Sequence, residues 1–78
     1  MHETRRFTIE LSDAPDALPR VVSLCRRRGA RILALSYSGA DRHRPARLEI
    51  ALRTDQRRGR PLAAGLSGLL DVRDVREG

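Results

Sequence analysis

The apolar residues of this chain repeat every second position, then every third or fourth, then every second again, and that order of periods restricts its fold more than any other feature. At residues 7–11, Phe7, Ile9 and Leu11 alternate with Thr8 and Glu10, the pattern of a half-buried strand. The cluster Ser12-Asp13-Ala14-Pro15-Asp16 follows. In it Ser12 or Asp13 is expected to cap a helix, Pro15 presets φ, and Asp16 favours the positive end of the helix dipole. Leu18, Val21, Val22 and Cys25 then fall at i, i+3, i+4 and i+7, while Arg20, Ser23, Arg26 and Arg27 point away from that stripe. Pro19 is tolerated because first-turn N–H groups have no intrahelical partner. Arg26-Arg27-Arg28 before Gly29 places cations at the negative end and a residue suited to αL, so the helix is predicted to end at about Arg28.

Residues 31–38 read as a strand that is apolar on both faces in its first half, which requires a cover or a neighbour. A polar turn over 39–46 leads to renewed alternation over 47–54, with Leu48, Ile50 and Leu52 on one face, so the two runs form a hairpin. Residues 55–60 are a charged loop containing Gly59. Pro61 then opens a second helix with the stripe Leu62, Leu66, Leu69 and Leu70, weakened by Gly65 and Gly68. Residues 71–77 set Val72 and Val75 among Asp and Arg as a short last strand.

The order β-α-β-β-α-β predicts an α+β, ferredoxin-like domain over residues 1–78, a four-stranded antiparallel sheet in order 4-1-3-2 with two helices on one face. Its edges are then the second and fourth strands. Charges at Asp71, Arg73, Asp74, Arg76 and Glu77 blunt one edge, whereas Ile32-Leu33-Ala34-Leu35 leaves the other apolar and unprotected. The second strand, through Ile32, Leu33, Ala34, Leu35 and Tyr37, is therefore expected to pair with another chain as a homodimer. A chain of 78 residues buries about 60% of its unfolded surface, so a partner also relieves a marginal core.

For catalysis the inventory is thin. Cys25 is the single cysteine, which rules out an intrachain disulfide and a paired-cysteine metal site, and its place on the apolar stripe makes it a core residue. His2 and His43 lack acidic or thiol neighbours at ligand spacing, and Asp13 with Asp16 is explained by capping. Neither a metal nor a cofactor is expected. The net charge is +6, and every one of the sixteen cations is Arg, which points to a coding preference as much as to phosphate contacts. Apolar runs are too short for a signal peptide or a membrane span, so a cytoplasmic protein with no membrane partner is expected.

Three stretches in order carry a family resemblance: Asp13-Ala14-Pro15-Asp16-Ala17-Leu18-Pro19-Arg20-Val21, then Arg27-Arg28-Gly29-Ala30-Arg31-Ile32, then Leu70-Asp71-Val72-Arg73-Asp74-Val75. The first resembles the Asn/Asp-x-Pro-Gly-x-Leu-x-Arg-Val of ACT domains, with Asp16 in place of the glycine. The others resemble the Arg-Arg-Gly-Phe-x-Ile and Leu-x-Asp-Val-x-x-Val of acetolactate synthase small subunits, and the short length resembles their compact forms. The resemblance implies a non-catalytic regulatory subunit, dimeric through its second strand, that activates a large thiamine-diphosphate-dependent catalytic subunit in branched-chain amino acid biosynthesis. It also implies an amino-acid effector position at Asp13, Ala14, Asp16, Ala17 and Leu18. Asp16 adds bulk and negative charge where the effector carboxylate would approach, so the resemblance further implies a weak valine response or none.

Two other readings share the same element order. A stand-alone ACT-type amino-acid sensor acting on another enzyme differs only in its partner. An RNA-binding module would need aromatic residues on the central strands, which offer Phe7 alone, while outward Thr8, Glu10, Arg47, Glu49 and Arg53 form no stacking platform. No nucleic-acid partner is expected.

Overall fold

A computed structural model describes residues 2–55, 57 and 61–78. Its elements are β1 (His2–Leu11), α1 (Ala17–Arg27), β2 (Arg31–Ser38), β3 (Ala46–Asp55), α2 (Leu62–Ser67) and β4 (Val72–Glu77). The strands form one antiparallel sheet in the order β2-β3-β1-β4, with the two helices, as the periods require. Most of the charged loop predicted over 55–60, including Gly59, lies outside the described residues.

Register explains the core. β1 pairs with β3 so that Phe7 lies opposite Ile50 and Ile9 opposite Leu48, which gathers the apolar rows of two strands onto one face. That face is closed by Val21, Leu24 and Cys25 of α1 and by Leu62 and Leu66 of α2, all buried. The β3 row ends at Thr54, buried with a hydroxyl that has no partner among the described residues.

Four features depart from the periodicity. β1 begins at His2 rather than at Phe7, because its first half is organised by the ladder to β3, from His2 opposite Asp55 to Arg6 opposite Ala51, and not by apolar alternation. On α1 the buried arc runs through Ala17, Val21, Leu24 and Cys25, leaving Val22 and Leu18 half-buried. The second helix causes this rotation: a Cβ on Gly65 of α2 would stand 3.5 Å from Leu24 Cδ2, so the Leu24 flank is covered as well as the sheet side. Leu70 is 90% exposed, since α2 stops at Ser67 and a turn closed by Val72 N–H donating to Leu69 C=O turns Leu69 inward and Leu70 out. Finally, Asp16 is the N-cap residue of α1 and its side chain makes no capping bond, while Ser12 is engaged elsewhere.

The end of α1 follows its sequence signal closely. Gly29 has φ 75°, its N–H donates to Arg26 C=O, and Ala30 N–H donates to Cys25 C=O at 3.0 Å, a Schellman motif that requires the left-handed glycine. The chain thus reverses in two residues and enters β2 at Arg31.

β4 is fastened to β1 by a two-pronged ion pair. Arg5 Nε donates to Glu77 Oε2 at 2.7 Å and Nη2 to Oε1 at 2.8 Å, and the same guanidinium stands 5.1 Å from the centre of the Phe7 ring. The hydrogen bonds from Arg5 hold the Glu77 carboxyl below its ordinary range and raise Arg5 further, so Arg5 stays charged throughout. A carboxylate depressed in the folded state stabilises fully above its unfolded value of about 4.3 and loses that stabilisation as pH falls through the folded value. Glu77→Gln should therefore cost about 0.5–1 kcal/mol at neutral pH. Thermal melts of the two proteins should converge as pH falls through the depressed folded-state value of Glu77, below the ordinary carboxylate range; a difference that persists once the Glu77 carboxyl is fully protonated would mean the carboxylate charge is not what matters.

Gly65 supplies a second test. A Cβ there would stand 3.3 Å from Arg28 Nη2, the movable end of an exposed side chain, and at ordinary contact distance, 3.5 Å, from Leu24 Cδ2. Gly65→Ala should stabilise the domain by about 0.5–1 kcal/mol through helix propensity. A fall in Tm would show that α1 and α2 are packed too closely at this point for Arg28 to give way.

Candidate functional site

The segment between β1 and α1 is built from a turn and a clamp. Ala17 N–H donates to Ala14 C=O at 3.1 Å across Pro15 and Asp16, and Asp16 has φ −91° and ψ −3°, the geometry of a type I turn with proline in its favoured position. Asp16 thus occupies its place without strain, and nothing in the backbone calls for glycine. The clamp is Asp71, just before β4. Its carbonyl accepts from Ser12 N–H at 2.8 Å, one carboxylate oxygen accepts from Ser12 Oγ at 3.2 Å, and the other accepts from Arg20 Nη1 at 3.3 Å. This explains why Ser12 does not cap the helix. Arg20 also approaches Asp16 to 4.0 Å, one helical turn away, which offsets part of the Asp16 charge.

Of the five effector positions, Asp13 and Asp16 are exposed, Ala14 is half-buried, Ala17 is buried in the core, and Leu18 packs against it. The side chains of Ala17 and Leu18 therefore serve α1 packing, and the loop offers Asp13, Asp16 and its own backbone to solvent. Beside it lies an open groove of about 370 Å³, bordered by Asp13, by Arg73 and by the β2–β3 loop from Ala40 to Pro45. Asp41 shapes that loop by accepting from the backbone N–H groups of His43 and Arg44 at 2.8 and 2.9 Å. Asp71 stood out in the sequence as an edge charge and as part of the third stretch but not as a clamp, and Asp41 did not stand out at all, because a residue that holds segments together has no spacing signature.

At the edge of the sheet, β2 is uncovered. Leu35 lies opposite Ile50 and Tyr37 opposite Leu48, so both project to the helix side, yet they are 41% and 43% exposed. The helical layer does not reach the edge strand. Ile32 packs against the core, and Ala34, opposite Ala51, faces the other side. The edge is less open than the sequence suggests. Register jumps between Ile32 and Ala34, leaving Leu33, 46% exposed, as an extra residue; Arg31 and Ile32 before it still pair with Arg53 and Leu52, and such a bulge twists the outer edge at that point.

The remaining chemical groups are quiet. Burial pushes the Cys25 thiol up to about 11, so at neutral pH it is a protonated core side chain. His2 and His43 are exposed, and among the described residues no group of three or more His, Cys, Asp or Glu is arranged to hold a metal ion. Among the described residues no helix is long and apolar enough to cross a membrane. On the open face of the sheet Arg47 pairs with Glu49 at 3.0 Å.

No protein-family model matches the chain. A search of curated proteins also finds no match. Solved structures do match. An uncharacterized protein of Thermotoga maritima aligns over 100% of this chain and 96% of its own, with a TM-score of 0.77 and 22% identity. The acetolactate synthase small subunit of Thermotoga maritima aligns over 96% of this chain with a TM-score of 0.79 and 19% identity, and this chain spans 47% of that one. The ACT domain from GTP pyrophosphokinase of Chlorobium tepidum aligns over 99% of this chain and 86% of its own, with a TM-score of 0.75 and 9% identity. Element order, strand order and these superpositions together show that the chain has the ferredoxin-like fold of an ACT domain.

Proposed function

We propose that the chain is a non-catalytic regulatory subunit of acetolactate synthase, acting in the cytoplasm as a homodimer that binds and activates a large thiamine-diphosphate-dependent catalytic subunit in branched-chain amino acid biosynthesis. The observation that carries this reading is the uncovered apolar row of β2, Leu35 and Tyr37 beside Ile32, on an ACT fold that aligns with an acetolactate synthase small subunit. Apolar groups left half-exposed on an edge strand favour association over isolation. The two sequence stretches that resemble small subunits, Arg27 to Ile32 and Leu70 to Val75, support the same reading, and the second includes Asp71, which clamps the effector loop. Pairing along β2 is centred on Leu35, on the regular stretch beyond the bulge.

Mixed with its catalytic subunit and pyruvate, the chain should raise the rate of acetolactate formation while forming none alone. Sedimentation of the isolated chain should give twice the chain mass, and Leu35→Lys should shift it to monomer or aggregate. An unchanged dimer would remove β2 from the interface, and failure to stimulate the catalytic subunit would favour a stand-alone sensor acting on a different enzyme.

The effector loop makes a separate prediction. A ligand that binds only the folded state stabilises by about 2.7 kcal/mol at one hundred times its Kd. In a domain of this size that is a Tm shift on the order of 10 °C or more. Valine at ~10 mM against a Kd of ~0.1 mM meets that condition. We expect little or no shift, because Asp16 sets a carboxylate on the solvent side of the loop, where the effector carboxylate would approach, and that charge is only partly offset by Arg20. Asp16→Gly should gain a modest valine-dependent shift, and a large shift in the unaltered protein would show that Asp16 does not oppose the ligand.

A further inference from the structure

The charges of this domain are sorted by position. At the end where α1 finishes and β2 starts, Arg26, Arg27, Arg28, Arg31, Arg53 and Arg57 are all exposed. None of them has a carboxylate within ion-pair distance among the described residues. The acids at this end are Glu3 and Asp55, and Asp55 accepts from the backbone N–H of Arg57 at 2.8 Å. The opposite end mixes its charges. There Asp71 holds Arg20, Glu10 lies across from Arg47, and Asp41 shares a loop with Arg42 and Arg44.

Two details show that the arginine end is more than a by-product of helix capping. Cations in the last turn of α1 are favoured by the helix dipole, which accounts for Arg26 and Arg27. It does not account for Arg31 and Arg53, which are direct cross-strand partners in β2 and β3, a like-charge pairing that destabilises a sheet. Arg26 and Arg31 also border one open groove of about 450 Å³, floored by Gly29, Ala30 and Ile32. A genome-wide preference for Arg explains the absence of Lys but not the sorting. The cluster lies at the end of β2 on the far side of the Leu33 bulge from 34–38, so a dimer through 34–38 leaves it open.

We propose that this arginine-rich end is the surface that docks on an acidic patch of the protein the chain regulates; the inference rests on the regulatory reading above. A protein is the occupant because Ile32 and Ala30 give the groove an apolar lining and no aromatic platform accompanies the cations, whereas single-stranded nucleic acid is held by stacking along a basic groove. Complementary charge at such a surface acts on the rate of encounter and on partner choice, and it weakens with salt.

The test titrates the chain into its catalytic subunit and reads the concentration for half-maximal activation, for the unaltered protein, for Arg26→Glu/Arg31→Glu, and for Arg42→Glu/Arg76→Glu. The two variants change net charge equally, and all four positions are exposed; matching melts and circular dichroism confirm folding, with Arg26→Gln/Arg53→Gln as a milder second variant. The expected result is a rise of about tenfold or more for Arg26→Glu/Arg31→Glu, and less than about twofold for Arg42→Glu/Arg76→Glu. Equal effects in both variants, or none in either, would overturn the docking surface while leaving the regulatory reading in place. If the unaltered chain fails to activate, that reading falls, and the surface is judged instead with fluorescein-labelled poly-L-glutamate. Binding that Arg26→Glu/Arg31→Glu loses and Arg42→Glu/Arg76→Glu keeps supports an acidic protein partner. Equal binding by all three, or tighter binding of a single-stranded oligonucleotide of equal charge, overturns it.

Discussion

Everything in this molecule is referred to the antiparallel ladder between β1 and β3. It runs without a break from His2 opposite Asp55 to Leu11 opposite Ala46, and no other pair of strands is so long or so regular. Because side chains alternate with period two, that single register decides that Phe7, Ile9, Leu48, Ile50 and Leu52 share a face. The helices find their place by covering that row. The outer strands are less strictly tied: β4 meets β1 through a register shift at Leu11 and is held by Arg5, and β2 meets β3 through the bulge at Leu33.

Regularity at the centre and irregularity at the edges divide the labour of the fold. The core needs a fixed register and little else, since its members are almost all aliphatic and closely interlocked. The candidate functional segments all lie where that regularity ends. The β1–α1 loop sits at the shift in β4 pairing, and the exposed apolar row and arginine end sit on either side of the bulge in β2. In so small a domain there is no separate layer in which to build a site, so the margins of the sheet are where its exposed apolar and charged groups gather.

How much of this could be read from the amino acids follows from what kind of interaction fixes each part. Alternation at Phe7, Ile9 and Leu11, the αL glycine at the end of α1, and the order of elements are local signals, and they were legible. The first half of β1 was not, because Thr4, Arg5 and Arg6 are held extended by a partner strand more than forty positions away. The inward turn of Leu24 depended on α2, the outward turn of Leu70 on a helix that ends early, and the bulge at Leu33 on pairing with β3. At the candidate site, the Pro15–Asp16 turn was visible as turn chemistry, while the Ser12–Asp71–Arg20 clamp joins residues 59 positions apart and leaves no trace in spacing. Charge sorting was hidden for the same reason, since Arg31 and Arg53 become neighbours only across the hairpin.

The position of Tyr37 has an optical consequence. It is the sole tyrosine, and the chain contains no tryptophan, so the tyrosine absorbance and emission of the protein arise from one ring. That ring is neither in the core nor in a loop but on the uncovered helix side of β2. The protein therefore carries a single built-in chromophore on its edge strand, and anything that covers the helix side of β2 changes the surroundings of that ring.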